Sequence, residues 1–326
     1  MPGIFTVSLD LELYWGVRDA RSIENYEANL RGERDAIRGM LELFEEHGVH
    51  ATWATLGFLF YKNIDELRRH LPDVLPEYRR QQLSSYRYID ERAWGEDDHY
   101  HFAPDMIDLI LDYEGQEIGT HTFSHYYCLE DGQTAEAFRA DLEAAVAAAR
   151  ARGIAVSSLV FPRNQGNPAY LPMLAELGIT CYRGNENAPF YTARNQEEQN
   201  LLLRATRLLD SYIDLSGPNT YTLEECAGTR PFNIPSSRFL RPFSRRLGPL
   251  ERLRMRRIKR AMLHAAAGNR LFHLWWHPHN FGADTDGNLA YLREILRYYA
   301  HLRAVYGMQS LNMGEVATVL ETMHAA

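Results

Sequence analysis

Short apolar runs alternate along the chain with longer stretches whose apolar positions recur at helical spacing. Ile4 to Leu9 is continuous and β-prone, the pattern of a strand buried on both faces of a parallel sheet, and it ends directly in acidic residues. From Asn25 to His47 the residues Ile37, Leu41 and Phe44 share one helical face, with Gly48 as C-cap, and Val49 to Leu56 resumes strand character. The unit then repeats. Glu117 to Thr120 and Ser157 to Phe161 predict strands around an Ala-rich helix over Thr134 to Arg152. Tyr170 to Leu177 reads as a helix stopped by Gly178 before a strand over Ile179 to Tyr182. Toward the end, Leu271 to Trp276 and Met308 to Leu311 read as strands, and Leu289 to Tyr306 and Gly314 to Met323 as helices.

Alternating β and α units imply a parallel sheet wrapped by helices. Strands number about seven and lie at both chain ends, so the expectation is an α/β fold, a distorted, incomplete (β/α)7-type barrel forming one domain over residues 1–326. Residues 61–105 and 185–268 break the rhythm with Arg, Tyr, Asp, Pro and Asn. Both read as insertions at the C-terminal face of the strands, where barrel enzymes build their sites.

Composition narrows the choices further. With 45% hydrophobic and 24% charged residues the chain has the balance of a globular protein. A net charge of −8 argues against non-specific attraction to nucleic acid. Against that background, Arg238 to Arg260 holds ten basic residues and one acid, Glu251. It reads either as a solvated helix face or as a peripheral contact with phosphate or anionic lipid heads. Cys128, Cys181 and Cys226 are odd in number and widely spaced, which suits a reducing compartment better than a disulfide framework. No apolar run has the length of a membrane span, and the first residues meet Asp10 and Glu12 too soon for a signal peptide, so the expected location is cytoplasmic.

Four polar constellations follow predicted strands. Asp10 and Glu12 are two apart, so an extended backbone points both to one side. His121 and His125, within Gly119-Thr120-His121-Thr122-Phe123-Ser124-His125, can share one divalent cation. With 13 histidines in the chain that spacing is weak by itself, and His273 with His277, or His99 with His101 behind Asp97 and Asp98, are rival metal sites. Phe161-Pro162-Arg163-Asn164-Gln165 offers a cation that can fork onto a carboxylate. Trp275-Trp276-His277-Pro278-His279 brings histidines out of an aromatic strand, where one can act as an acid. Together the four specify a hydrolytic site in which two histidines and a carboxylate leave positions open on a cation. Zinc is the expected ion, with cobalt, nickel or manganese able to use the same ligands.

The order of these motifs resembles the polysaccharide deacetylase family, carbohydrate esterase family 4. Ser8-Leu9-Asp10-Leu11-Glu12 is similar to its first motif, His121-Thr122-Phe123-Ser124-His125 to its second, Phe161-Pro162-Arg163 to its third and Trp275-Trp276-His277 to its last. The resemblance implies a distorted barrel that removes acyl groups from sugars. It makes Asp10 the base, Arg163 its orienting cation and His277 the acid, with Glu12, His121 and His125 as metal ligands. Leu11 separates two acids that are more often adjacent in the family, which passes the metal role to Glu12. Trp15, Trp94, Trp275 and Trp276 would line a sugar cleft, together with Asn164 and His279. The substrate so implied is an N-acylated, most simply N-acetylated, sugar precursor of a surface polysaccharide such as O-antigen, nucleotide-linked or lipid-linked. A glycosidase using paired carboxylates and a silent glycan- or partner-binding barrel are the competing readings.

Overall fold

The computed structural model describes residues 1–95 and 98–325. Its strands are, in chain order, β1 (Ile4–Leu11), β2 (Ala51–Thr55), β3 (Gln116–Thr120), β4 (Ser158–Val160), β5 (Cys181–Arg183), β6 (Phe232–Asn233), β7 (Arg238–Phe239), β8 (Leu271–Trp276) and β9 (Gln309–Ser310). They form one sheet in the order β6-β5-β4-β3-β2-β1-β8-β7, every pair parallel. β9 pairs with Ile4 and Phe5 of β1, below Val7, where the β2 ladder begins. This is the curled α/β barrel expected from the alternation of strands and helices.

The curl is carried by an extended run from Phe232 to Leu240 that supplies both β6 and β7. Ile234 N donates to Tyr182 O (2.9 Å) and Ser236 N to Gly184 O (2.8 Å), beside β5. Ser237 N then donates to His273 O (2.8 Å) and Leu240 N to Trp275 O (2.8 Å), beside β8. One stretch of backbone thus hands its hydrogen bonds from one end of the sheet to the other. Residues 185–268, expected as an insertion throughout, therefore contribute two strands. Pro231, Pro235 and Pro242 break the β pattern there, and each ladder is only two residues long, too short for a periodic signal.

Side-chain alternation along β1 separates two environments. Phe5, Val7, Leu9 and Leu11 pack outward against helical residues such as Ile37, Leu41, Phe44, Ile258 and Ile295. Ile4 joins Val160, Cys181 and Leu271 with Val316 and Leu320 of the helix Met313–Ala325, an apolar floor at the start of the strands. Ser8 and Asp10, further along the same face, meet polar partners inside the curl. The interior therefore grades from apolar to polar toward the strand ends.

The basic stretch 238–260 is solvated only in part: Arg245, Arg246, Arg252, Arg256 and Arg260 are exposed, but three of its cations are buried. Arg238 and Arg257 are buried on Asp210, and Arg254 is buried on Glu251 and donates to Arg241 O (2.7 Å). The expected contact with anionic lipid is thus closed to those three cations, because each is already used inside the fold. Among the described residues no helix is long and apolar enough to cross a membrane.

The long helix Ile23–His47 starts at Ser22, whose side chain accepts from Asn25 N, and stops at Gly48 in the left-handed conformation. It lies on the 3₁₀ segment Pro278–Asp284, backbone against backbone. A Cβ on Gly32 would stand 2.1 Å from Gly282 O, and one on Gly282 would stand 1.9 Å from Asn29 O. That contact fixes the segment following His277, so Gly32→Ala is expected to lower stability by about 1–3 kcal/mol through overpacking. A thermal or denaturant melt checks this, and an unchanged midpoint would contradict the contact.

Candidate metal and catalytic site

β1 delivers Asp10 at its end and Glu12 one residue beyond it, both almost fully buried. β3 runs into the loop of His121 and His125, where Thr122 (φ 64°) and His125 (φ 62°) adopt the left-handed conformation that L-residues avoid. The loop is held by Asp141 of the helix Ala135–Arg150, whose Oδ1 accepts from Phe123 N (2.7 Å) and whose Oδ2 accepts from Ser124 N (3.2 Å) and the Ser124 hydroxyl. Burial pushes the Asp141 carboxyl up to about 6 despite those donors. The first expected insertion braces the same loop: Ser85 Oγ donates to Ser124 O (2.6 Å), and Tyr78 OH accepts from Tyr127 N (2.9 Å).

Glu12 lies at the centre of four imidazoles. Its Oε2 is 3.2 Å from His121 Nε2 and 3.0 Å from His125 Nε2, and its Oε1 is 3.2 Å from His279 Nε2 and 3.6 Å from His277 Nε2. His121 Nδ1 lies 2.9 Å from Val160 O, an acceptor only, which holds the ring with Nε2 toward Glu12. Burial holds His125 down to about 4, so it is neutral and fit to ligate at ordinary pH. Glu12 with His121 and His125, and Glu12 with His277 and His279, are the two groups among the described residues that can hold a metal ion. The first is the set expected from sequence. Its donor chemistry fits zinc or a similar ion, with positions left open.

Asp10 has a different partner from the one expected. Arg183, at the end of β5, forks onto it with Nη1 2.7 Å from Oδ1 and Nη2 2.8 Å from Oδ2, and also reaches Ser8 Oγ (2.9 Å). Burial alone would raise the Asp10 carboxyl, but Arg183, His121 and His277 outweigh it and hold it below its ordinary value. Arg163 instead pairs with Asp19, donates to Gln196 Oε1 (3.1 Å) and stacks 4.5 Å over Tyr127. Its backbone, at φ 54° in the turn after β4, carries the side chain to the rim. Asn164 stays near the site, with Oδ1 accepting from Arg183 Nη2 (3.1 Å). His277 Nε2 is 3.6 Å from Asp10 Oδ2, and His279 Nδ1 is 2.7 Å from Tyr26 OH.

Two of the expected sugar-contacting tryptophans belong to the core. Trp15 is fully buried against Phe58, Tyr88 and Trp94, with Nε1 donating to His101 O (2.8 Å). Trp276 is fully buried between Phe44 and Phe281, because alternation along β8 turns His273, Trp275 and His277 inward and Trp276 outward. Trp275 lies 4.1 Å from the Arg183 guanidinium. Among the described residues the rival histidine pairs form no metal-holding group of their own. His273 Nε2 is 2.8 Å from Ser8 Oγ, and His101 is held between Asp98 (2.7 Å) and Tyr88 OH (3.0 Å). His99 is exposed, and Asp97 lies outside the described residues.

Sequence reasoning missed Arg183, Asp141 and Tyr26. Arg183 had a signal, an arginine followed by glycine directly after a predicted strand; Asp141 and Tyr26 lie inside helices and had none.

The barrel with this carboxylate–imidazole cluster at its strand ends has the fold of the polysaccharide deacetylases. A protein assigned as a polysaccharide deacetylase from Mycobacterium smegmatis superposes with a TM-score of 0.61 at 14% identity, over 99% of this chain and 92% of that one. One assigned likewise from Pseudomonas aeruginosa PAO1 gives 0.55 at 11% identity, over 100% and 93%. An allantoinase gives 0.55 at 11% identity, over 100% and 92%. No family profile and no curated protein matches the sequence.

Two measurements follow from this geometry. Glu33, on the helix Ile23–His47, is buried with neither oxygen hydrogen-bonded, and burial pushes it from 4.5 up to about 7, with His279 lowering it and Glu12 adding to the rise. The folded state therefore holds this proton more tightly than the unfolded chain. The stability it contributes is present below about pH 4.5 and is lost as pH rises through 7. Glu33→Gln removes that slope, gaining about 3 kcal/mol on the parent between pH 4.5 and 8 in denaturant unfolding of the metal-free proteins. Parallel profiles would contradict it. Second, Arg183→Gln strands the buried Asp10 carboxylate and should lower stability by about 3–5 kcal/mol, a loss that should largely vanish when the same change is made in an Asp10→Asn background. Equal losses in the two backgrounds would contradict the pairing of Arg183 with Asp10.

Proposed function

We propose that the protein is a metal-dependent deacylase that hydrolyses the amide of an N-acylated sugar. The observation that carries the reading is the division of labour between two acids on one strand end: Glu12 faces the imidazoles, whereas Asp10 is locked by Arg183 and left out of both metal-holding groups. A divalent ion on Glu12, His121 and His125 would supply Lewis acidity for the attack of water on the acyl carbonyl. Asp10, kept ionised and aimed by Arg183, takes a proton from the attacking water. His277 Nε2, 3.6 Å from Asp10, gives a proton to the departing amine. Asp10 and Glu12 leave one strand end together, so they do not flank a glycosidic bond from two sides as paired glycosidase acids do.

The substrate in this reading is a nucleotide-linked or lipid-linked precursor of a surface polysaccharide such as O-antigen, bearing acetyl or formyl, and zinc is the default ion. A cytoplasmic setting goes with it, and the three free cysteines suit a reducing compartment.

Elemental analysis and acid release test the assignment together. The wild type should carry about one divalent ion per chain, absent from a Glu12→Ala, His121→Ala double variant. Asp10→Asn should keep the ion while release of carboxylic acid from N-acylated sugar nucleotides falls roughly 10²- to 10⁴-fold. Undiminished turnover in Asp10→Asn removes the base. Release of a reducing sugar would favour a glycosidase, and a folded protein that takes up no metal would favour a silent binding barrel.

A further inference from the structure

Next to the acid–base pair the surface opens into a cleft of about 180 Å³ between the turn after β4, β7 and the helix Leu201–Tyr212. Five arginines line it: Arg163, Arg194, Arg207, Arg238 and Arg241. Two are already neutralised, Arg163 by Asp19 and Arg238 by Asp210. The other three pair with no carboxylate among the described residues. Arg207 spends its donors on Phe190 O (2.7 Å) and Gln199 Oε1 (2.8 Å), which fix its guanidinium without discharging it. Arg194 reaches only Pro189 O (3.5 Å) and keeps a buried Nε without a partner. Arg241 is half-buried, and burial pushes its guanidinium down from the ordinary value. The one acid in the lining is Glu186, whose carboxyl burial raises.

A protein with a net charge of −8 has acids to spare, yet among the described residues none is paired with Arg194, Arg207 or Arg241. Half-buried guanidiniums without counter-ions are unfavourable until an anion arrives, and their forked donors suit phosphate oxygens. Three unspent cations exceed what a single monophosphate needs. The cleft also leads to the chemistry. Its floor includes Asn164 and Trp275, both in contact with Arg183, the cation that holds Asp10. Phe239, on its wall, and Trp275 flank His277, with ring centroids 5.8 and 5.6 Å away.

We infer that this cleft is the binding subsite for the diphosphate group of a glycosyl diphosphate, with Arg194, Arg207 and Arg241 as its ligands, which sets the sugar beside Asp10 and His277. The identity of the sugar end rests on the deacylase reading; the anion site does not. Two carriers share this chemistry, a nucleoside diphosphate and a polyisoprenyl diphosphate. The helix that walls the cleft with Arg207 also bears Leu201 and Leu202 at 83% and 75% exposure, so the lipid carrier deserves its own arm in the test.

Calorimetric titration with inorganic pyrophosphate reads the site without turnover. Wild type and Asp10→Asn should bind it alike at one site, and Arg207→Gln and Arg241→Gln should each weaken binding about tenfold or more. Arg256→Gln, exposed in a different groove, should leave it unchanged. Among the described residues the Arg241 side chain has no hydrogen-bonded partner to lose, so its variant remains informative even if Arg207→Gln misfolds. Absent pyrophosphate binding, or unchanged binding in Arg241→Gln, overturns the subsite. Displacement of pyrophosphate by uridine diphosphate assigns a nucleotide carrier, displacement by a polyisoprenyl diphosphate in neutral vesicles assigns a lipid carrier, and displacement by neither overturns the inference. Loss of the deacylase reading with pyrophosphate binding intact would leave the anion site standing, and the reverse would leave the chemistry standing.

Discussion

Two carboxylates lie two residues apart at the end of one central strand, and at 3% and 2% exposure neither Asp10 nor Glu12 can rely on water. An uncompensated buried charge costs several kcal/mol, so the surrounding chain must supply cations or donors for both. The compensation comes from far away in the fold: Arg183 from β5, His121 and His125 from the loop after β3, His277 and His279 from beyond β8. In a flat sheet β5 would lie four strand spacings from β1, roughly 19 Å. Arg183 nevertheless stands 2.7 Å from Asp10, which only a curled sheet allows. The barrel and the charge pair thus require each other.

The two acids are compensated in different ways, and that difference gives them different chemistry. A guanidinium is permanently charged and occupies both Asp10 oxygens, so it leaves that carboxylate ionised and oriented. The imidazoles around Glu12 have Nε2 atoms within reach of its two oxygens, an arrangement that can admit a cation among them. Keeping them converged requires backbone that resists its own preferences at Thr122 and His125, and Asp141 holds it there through the amides of Phe123 and Ser124. Asp141 acts on the site only through that loop.

Much of this was legible in the sequence. β1 announces itself as an apolar run ending in acids, and the histidine loop follows a strand, because a parallel strand must become polar where it leaves the core. Which arginine would meet Asp10 was not legible. Arg163 and Arg183 both follow buried strands, and the choice depends on the degree of curl and on a left-handed turn at Arg163, neither of which leaves a local pattern. Trp275 and Trp276 pose the same problem on a smaller scale, since one step of register decides which ring faces the interior. β6 and β7 escaped notice because their pairing depends on distant partners and hardly at all on their own residues.

The parallel pairing of Ile4 with Leu271 joins the first strand to one formed near the other end of the chain. Contacts so distant in sequence carry a high loop-closure entropy, which places them late in assembly. Until β8 docks on β1, Glu12 lacks His277 and His279, and until the run 232–240 transfers its hydrogen bonds across, the ring has an open seam. Partly assembled forms therefore carry acids without their full complement of partners and gain little from being partly built. That penalty on intermediates favours a cooperative transition, in which the chemistry of the site and the closure of the barrel arrive in the same step.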